Sequence, residues 1–113
     1  MKPTHEPNEG VELLYVRGCP YWEETLQNLA AAMTAAGSEG EVHVVPMDTL
    51  EQAETYGFFA SPTVHVDGVD ADPHARRTGK RGLGMGRPYF WQGEVYAAPP
   101  VAMITAALKE LRP

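Results

Sequence analysis

Cys19 is the only cysteine in the chain, and it opens the step Cys19-Pro20-Tyr21-Trp22 between two patterns of different period. The run Val11-Glu12-Leu13-Leu14-Tyr15-Val16 reads as a strand closed by Gly18, and beyond Pro20 the apolar residues recur at helical spacing. The thiol therefore falls at the expected first turn of a helix, where backbone N–H groups without partners favour an anion. Reactive thiols occupy such places because the thiolate is the nucleophile. Arg17, two residues earlier, pushes the same way, whereas Glu23 and Glu24 one turn along repel a developing negative charge. Each effect is worth under about 1 kcal/mol at a solvated position, so they predict a modestly activated thiol; an inert buried cysteine is the alternative, against which the Cys-Pro step favours a solvent-reachable one. With no second cysteine, the chain cannot form an internal disulfide.

The remaining chemistry-bearing residues give weaker signals. Residues 1–72 hold thirteen acids against Lys2 and Arg17, and residues 73–113 hold seven bases against Glu94 and Glu110. Arg76, Arg77, Lys80, Arg81 and Arg87 fall in one short stretch, which suggests a local anion contact on an otherwise acidic protein. Gly79-Lys80 lacks the glycine spacing of a phosphate-binding Walker loop, and the alternating aromatics and bases of a single-strand-binding surface are missing. Read on its own, the stretch is a solvated loop, and no nucleic-acid partner is expected. Of the four histidines, His43 and His65 sit on strands expected to be separated by the first strand, His74 is in the loop and His5 in the lead-in. None has a partner at helical ligand spacing, so no metal is expected.

Around these residues, 113 positions with 43% apolar and 21% charged side chains suffice for one domain with a modest core. No apolar stretch approaches the ~20 residues of a membrane span, and residues 1–10 lack the apolar segment of a signal peptide. A cytoplasmic protein without membrane contact is the expectation. Residues 1–10 read as a disordered lead-in and 11–113 as one domain. The first strand covers about 11–17. A first helix from Pro20 to about Ala36, with Pro at its first position and Gly37 as its stop, carries the stripe Trp22, Leu26, Leu29, Ala30 and Met33. A second strand covers Glu41–Met47, and Asp48-Thr49-Leu50-Glu51 is a capping box for a short helix ending near Gly57. Thr63–Val66 is a third strand followed by the turn Asp67-Gly68. Residues 69–87 read as a long Gly/Arg-rich loop, Pro88–Trp91 as a fourth strand, Gln92-Gly93 as a turn, and Pro99–Leu111 as a closing helix with the stripe Val101, Ile104, Leu108 and Leu111.

This order, with Cys19-Pro20-Tyr21 after the first strand, Ser61-Pro62-Thr63 before the third and Asp67-Gly68 after it, resembles the thioredoxin superfamily. The step Cys19-Pro20-Tyr21-Trp22 is similar to the Cys-Pro-Tyr-Cys and Cys-Pro-Tyr-Ser motifs of glutaredoxins, with Trp22 at the second-cysteine position. The further combination with Gly18 and Gly57-Phe58 resembles a group of small bacterial thioredoxin-like proteins of poorly defined activity. That group usually carries a second cysteine beside an arginine, matched here by Gly86-Arg87, where the cysteine is missing. The resemblance implies a thioredoxin-like α/β fold whose four-stranded mixed sheet runs in the order 2-1-3-4, and a cis peptide bond at Pro62. It also implies that the backbone of Ser61 is open beside the thiol to an extended peptide or to glutathione. Two departures stand out. Val69-Asp70-Ala71-Asp72 replaces the Gly-Gly-Ser/Thr-Asp segment that holds a carboxylate of glutathione, and Arg17 stands two residues before the cysteine where glutaredoxins have a basic residue three before.

The resemblance implies a single-thiol disulfide oxidoreductase acting through Cys19 on mixed disulfides of glutathione or another small thiol. Arg17, Pro20, Tyr21, Trp22, Ser61, Pro62, Thr63 and Arg87 would then contact the substrate. No cofactor is bound, and glutathione is the expected co-substrate. The alternative is a non-catalytic module that holds a peptide or protein partner in the Pro62 groove and on the basic loop. A homodimer remains open under either reading.

Overall fold

The computed structural model describes residues 5–113. Its elements are β1 (Val11–Tyr15), α1 (Trp22–Ala36), β2 (Val42–Pro46), α2 (Leu50–Tyr56), β3 (Ala60–Ser61), β4 (Thr63–Val66), β5 (Val69–Asp70), a 3-10 turn (Pro73–Ala75), β6 (Gly84–Met85), β7 (Tyr89–Trp91), β8 (Glu94–Tyr96) and α3 (Val101–Leu111). They form an α/β domain around a mixed four-stranded sheet in the order β2-β1-β4-β5. β1 and β2 are parallel, joined through α1, while β4 runs antiparallel to β1 and to β5. A helical crossover is what parallel neighbours require.

The fourth place in the sheet belongs to residues that had been read as loop. Asp67 and Gly68 both have positive φ, 51° and 83°, the backbone of a two-residue hairpin turn. It returns the chain at once to pair Val66 with Val69 and His65 with Asp70. Residues 69–87 are therefore not one long loop: they contain β5, the 3-10 turn and β6. The expected fourth strand exists as β7, outside the main sheet, in a hairpin with β8 across Gln92-Gly93. Residues 1–4 of the expected disordered lead-in lie outside the described residues. Residues 5–10 lie against the sheet, with the Asn8 N–H donating to Glu12 Oε2 at 2.9 Å and the Gly10 N–H to Asp67 Oδ1 at 3.0 Å.

Alternation along β1 sends Val11 and Leu13 to one face and Glu12 and Leu14 to the other. On the first face, Val11, Leu13, Val64 and Val66 pack under Leu29, Ala32 and Met33 of α1 and Ile104, Ala107 and Leu108 of α3. The stripe of α3 is the one its spacing predicts. That of α1 differs at one position, since Ala30 faces solvent and Ala32 is buried. On the second face, Leu14, Met47, Ala53 and Phe58 make a smaller cluster beneath α2. The cap of α2 lies one residue later than expected: Thr49 Oγ1 accepts from the Gln52 N–H at 3.1 Å, and Gln52 Oε1 accepts from the Thr49 N–H at 3.1 Å. No helix among the described residues is long and apolar enough to cross a membrane.

Leu13 is fully buried in the middle strand between the two long helices. Leu13→Ala should cost about 2–5 kcal/mol through lost burial and an unfilled cavity. A lower urea midpoint with unchanged slope is the expected result in chemical denaturation.

Candidate functional site

Gly18, with φ of +90°, turns the chain out of β1, and Cys19 follows with its N–H donating to the Val16 carbonyl at 3.0 Å. The helix begins later than its proline suggests. Tyr21 is the N-cap, Trp22 the first helical residue, and Cys19 and Pro20 belong to the preceding turn. Among the described residues, no side chain caps this end of α1, which leaves its first N–H groups without a side-chain acceptor there. Cys19 is 4% exposed, which departs from the solvent-reachable thiol expected. Pro20 and Tyr21 are exposed, and Trp22 is half-buried with its indole stacked on the Tyr15 ring at 4.9 Å. Arg17 turns away to Asp48, with bonds of 2.8 and 3.2 Å between exposed side chains. An ion pair this exposed contributes little to stability.

Leu14 stands opposite Thr63 in the register, so the end of β1 and the start of β4 share one end of the sheet. The Cys19 turn and Ser61-Pro62, whose peptide bond is cis, lie at that end. The edge of Ser61 is not open as expected. β3 pairs in parallel with β6, matching Ala60 with Gly84 and Ser61 with Met85. The Ser61 carbonyl accepts from the N–H groups of Gly86 and Arg87 at 3.1 and 3.3 Å, and Ser61, Pro62 and Thr63 are all buried. Gly84 is required there, because a Cβ on it would come within 3.0 Å of the Phe59 carbonyl oxygen.

Arg87 is buried as well, and its charge is already committed. Its two terminal nitrogens fork onto Asp70 at 2.9 and 3.1 Å, one of them also donates to Thr63 Oγ1 at 2.9 Å, and Asp72 lies 3.6 Å away. The guanidinium rests over the rings of Phe59 and Tyr89 at 4.7 and 4.3 Å, and a flat cation suits two aromatic neighbours better than a compact ammonium. Tyr89 is fully buried, and its hydroxyl donates to the Pro62 carbonyl. Burial raises the Tyr89 pKa and keeps the phenol protonated.

The sequence reading missed a polar row across the second face of the sheet. Cross-strand partners share a face, and the register joins His43 to Glu12, Glu12 to His65, and His65 to Asp70. Glu12 is wholly buried, with Oε2 2.9 Å from His5 Nε2 and Oε1 3.9 Å from His65 Nδ1. His5 stacks on His43 with ring centroids 3.9 Å apart. His43 and His65 do lie on either side of β1, as expected, but an acid fills the row between them. The available signal was Glu12 itself, a charge inside an apolar run. Among the described residues, no group of three or more His, Cys, Asp or Glu side chains is arranged to hold a metal ion. No family model matches the sequence, and neither a curated protein nor a solved structure matches it.

Two measurements follow from these buried charges. Arg87→Met leaves Asp70 buried without its cation, and a loss of about 3–5 kcal/mol is expected in urea unfolding. Glu12 has its pKa raised from 4.5 to about 6, chiefly by burial, against the lowering effect of the Asn8 N–H and of His5. A carboxyl held protonated in the folded state contributes its stability in full below pH 4.5, and that stability is lost as pH rises through about 6. The stability of the wild type relative to Glu12→Gln should therefore fall across this interval and level off above it, as read from urea midpoints against pH.

Proposed function

We propose that this chain is a thioredoxin-like, single-thiol oxidoreductase that takes up glutathione or a comparable small thiol on Cys19. The observation that carries the reading is the placement of the one cysteine in the turn that leads from β1 into a 15-residue helix whose start no described side chain caps. The sheet supports the fold assignment through its order β2-β1-β4 and the helical crossover between its parallel strands. In the reaction, the Cys19 thiolate attacks the glutathione sulfur of a mixed disulfide. The S–S bond breaks, the original thiol leaves as a thiolate and takes up a proton, and Cys19 carries the glutathione. A second glutathione thiolate then attacks that adduct, releasing oxidised glutathione and regenerating the Cys19 thiolate. No local thiol can do this, because Cys19 has no partner in the chain.

The site favours a small substrate over an extended peptide. The Ser61 carbonyl is engaged by residues 86 and 87, Arg87 is engaged by Asp70, and the exposed residues nearest Cys19 in sequence are Pro20 and Tyr21. Uptake then requires the side chains over Cys19 to open a path to its sulfur.

The burial of Cys19 favours a second reading, a non-catalytic binding module of the same fold. In that case the exposed bases of loop 76–87, and not the filled Ser61 edge, would meet the partner.

Intact mass after incubation with oxidised glutathione separates the two. The first reading expects addition of one glutathione per chain, its rapid release by reduced glutathione, and no adduct on Cys19→Ser. An adduct that forms no faster than on an unstructured peptide thiol would leave the binding module.

A further inference from the structure

A cavity of about 150 Å³ lies away from the Cys19 turn, between the end of α2, the β4–β5 hairpin and the segment 73–81, and its walls include Gly57, His65, Asp70, Arg76, Thr78 and Arg81. Its charge balance is one-sided. Asp70, the only acid in the wall, has both carboxylate oxygens bound by Arg87 at 2.9 and 3.1 Å. Arg76 is oriented by two bonds, from Nε to the Asp70 carbonyl at 2.8 Å and from Nη1 to Glu110 at 3.0 Å. Its third nitrogen, Nη2, is buried with no hydrogen-bond partner among the described residues. Among the described residues, Arg81 contacts no carboxylate, and its one side-chain bond goes to the Lys80 carbonyl at 2.6 Å. Glu110 offsets Arg76, but the segment has no acid between Asp72 and Glu94, and among the described residues Arg81 is in no ion pair.

His65 lines the same wall. Its side chain is 4% exposed, and among the described residues Nδ1 has no hydrogen-bond partner, with Glu12 Oε1 3.9 Å away. Burial lowers its pKa, so the wall carries a neutral imidazole that can donate or accept. The bare guanidinium nitrogen of Arg76, a residue of this wall, is an exception to the usual pairing of buried polar groups. A bound group would complete such a site.

We propose that this cavity binds a tetrahedral oxyanion of the phosphate class, held by Arg76 and Arg81 with the Thr78 hydroxyl as a further donor. Guanidinium forks match phosphate oxygens, and two of them with a hydroxyl suit a dianion better than a single carboxylate. The volume of about 150 Å³ takes one such group. The anion arrives either free or as the end of a small phosphomonoester. The site uses neither Cys19 nor Ser61, and it stands whether or not the redox reading does.

Titration calorimetry with inorganic phosphate and with O-phosphoserine tests the proposal on the full chain. Saturable binding of one equivalent is expected. Arg81→Gln, at an exposed position, should weaken it about tenfold, a change of about 1.4 kcal/mol, and Thr78→Val should weaken it by a smaller factor. Arg77→Gln removes an equally exposed base outside the cavity wall and should leave the affinity within about twofold. Equal affinity for the two probes identifies a free-anion site, and tighter binding of O-phosphoserine identifies a phosphomonoester site. Absence of saturable binding, or equal weakening by Arg77→Gln and Arg81→Gln, would overturn the proposal, the latter by showing diffuse attraction to a basic loop.

Discussion

The fork between Arg87 and Asp70 is the constraint on which the second half of the chain depends. A guanidinium removed from water costs several kcal/mol unless its donors are filled, and here they are filled by β5, by Thr63 at the start of β4 and, more distantly, by Asp72. The rings of Phe59 and Tyr89 close over its faces. One side chain thereby fixes where the chain re-enters after its polar excursion. It sets β6 beside β3, and it holds Tyr89 where its hydroxyl reaches the Pro62 carbonyl. The same fork neutralises the acid in the wall of the polar cavity, so the charge of that cavity is a consequence of how the excursion is anchored.

The two sides of the sheet divide the labour. The helix-covered face is apolar, with Leu13, Leu29 and Ile104 at its centre. The other face carries a short apolar cluster under α2 and, beside it, the row His43, Glu12, His65 and Asp70. A polar row of this kind is costly wherever a member is left without a partner. Glu12 meets His5 and the Asn8 N–H, and Asp70 meets Arg87. The residues before β1 are consequently part of the fold's electrostatics, since they supply two of the groups that Glu12 requires.

Most of the architecture was legible from residue pattern, and the failures have local causes. Helical spacing found α1 and α3, alternation and a run of β-branched residues found β1, β2 and β4, and Asp67-Gly68 marked its turn. What the pattern could not convey was that a turn of only two residues leads straight into β5. Val69-Asp70 is too short to show a period, and the Gly- and Arg-rich sequence after it reads as solvated. Arg87 was singled out for contact with a substrate, whereas its partner is an aspartate seventeen residues earlier; a buried ion pair between distant positions leaves no spacing signal. Cys19 was placed at the correct junction, but its burial depends on tertiary packing that no local motif encodes. For Ser61 the motif gave the backbone position and was silent about the strand that fills its edge.

Asp67 has a role that extends beyond its turn. Its Oδ1 accepts from the Gly10 N–H at 3.0 Å and from Arg112 at 2.9 Å, while Oδ2 accepts a second bond from Arg112 at 3.0 Å. The stretch entering β1 and the stretch leaving α3 are thus buckled to one carboxylate. A pull applied through residues 10 and 112 would load this buckle before the strands of the sheet. Mechanically, Asp67 is a small electrostatic clasp between the entry to β1 and the exit from α3.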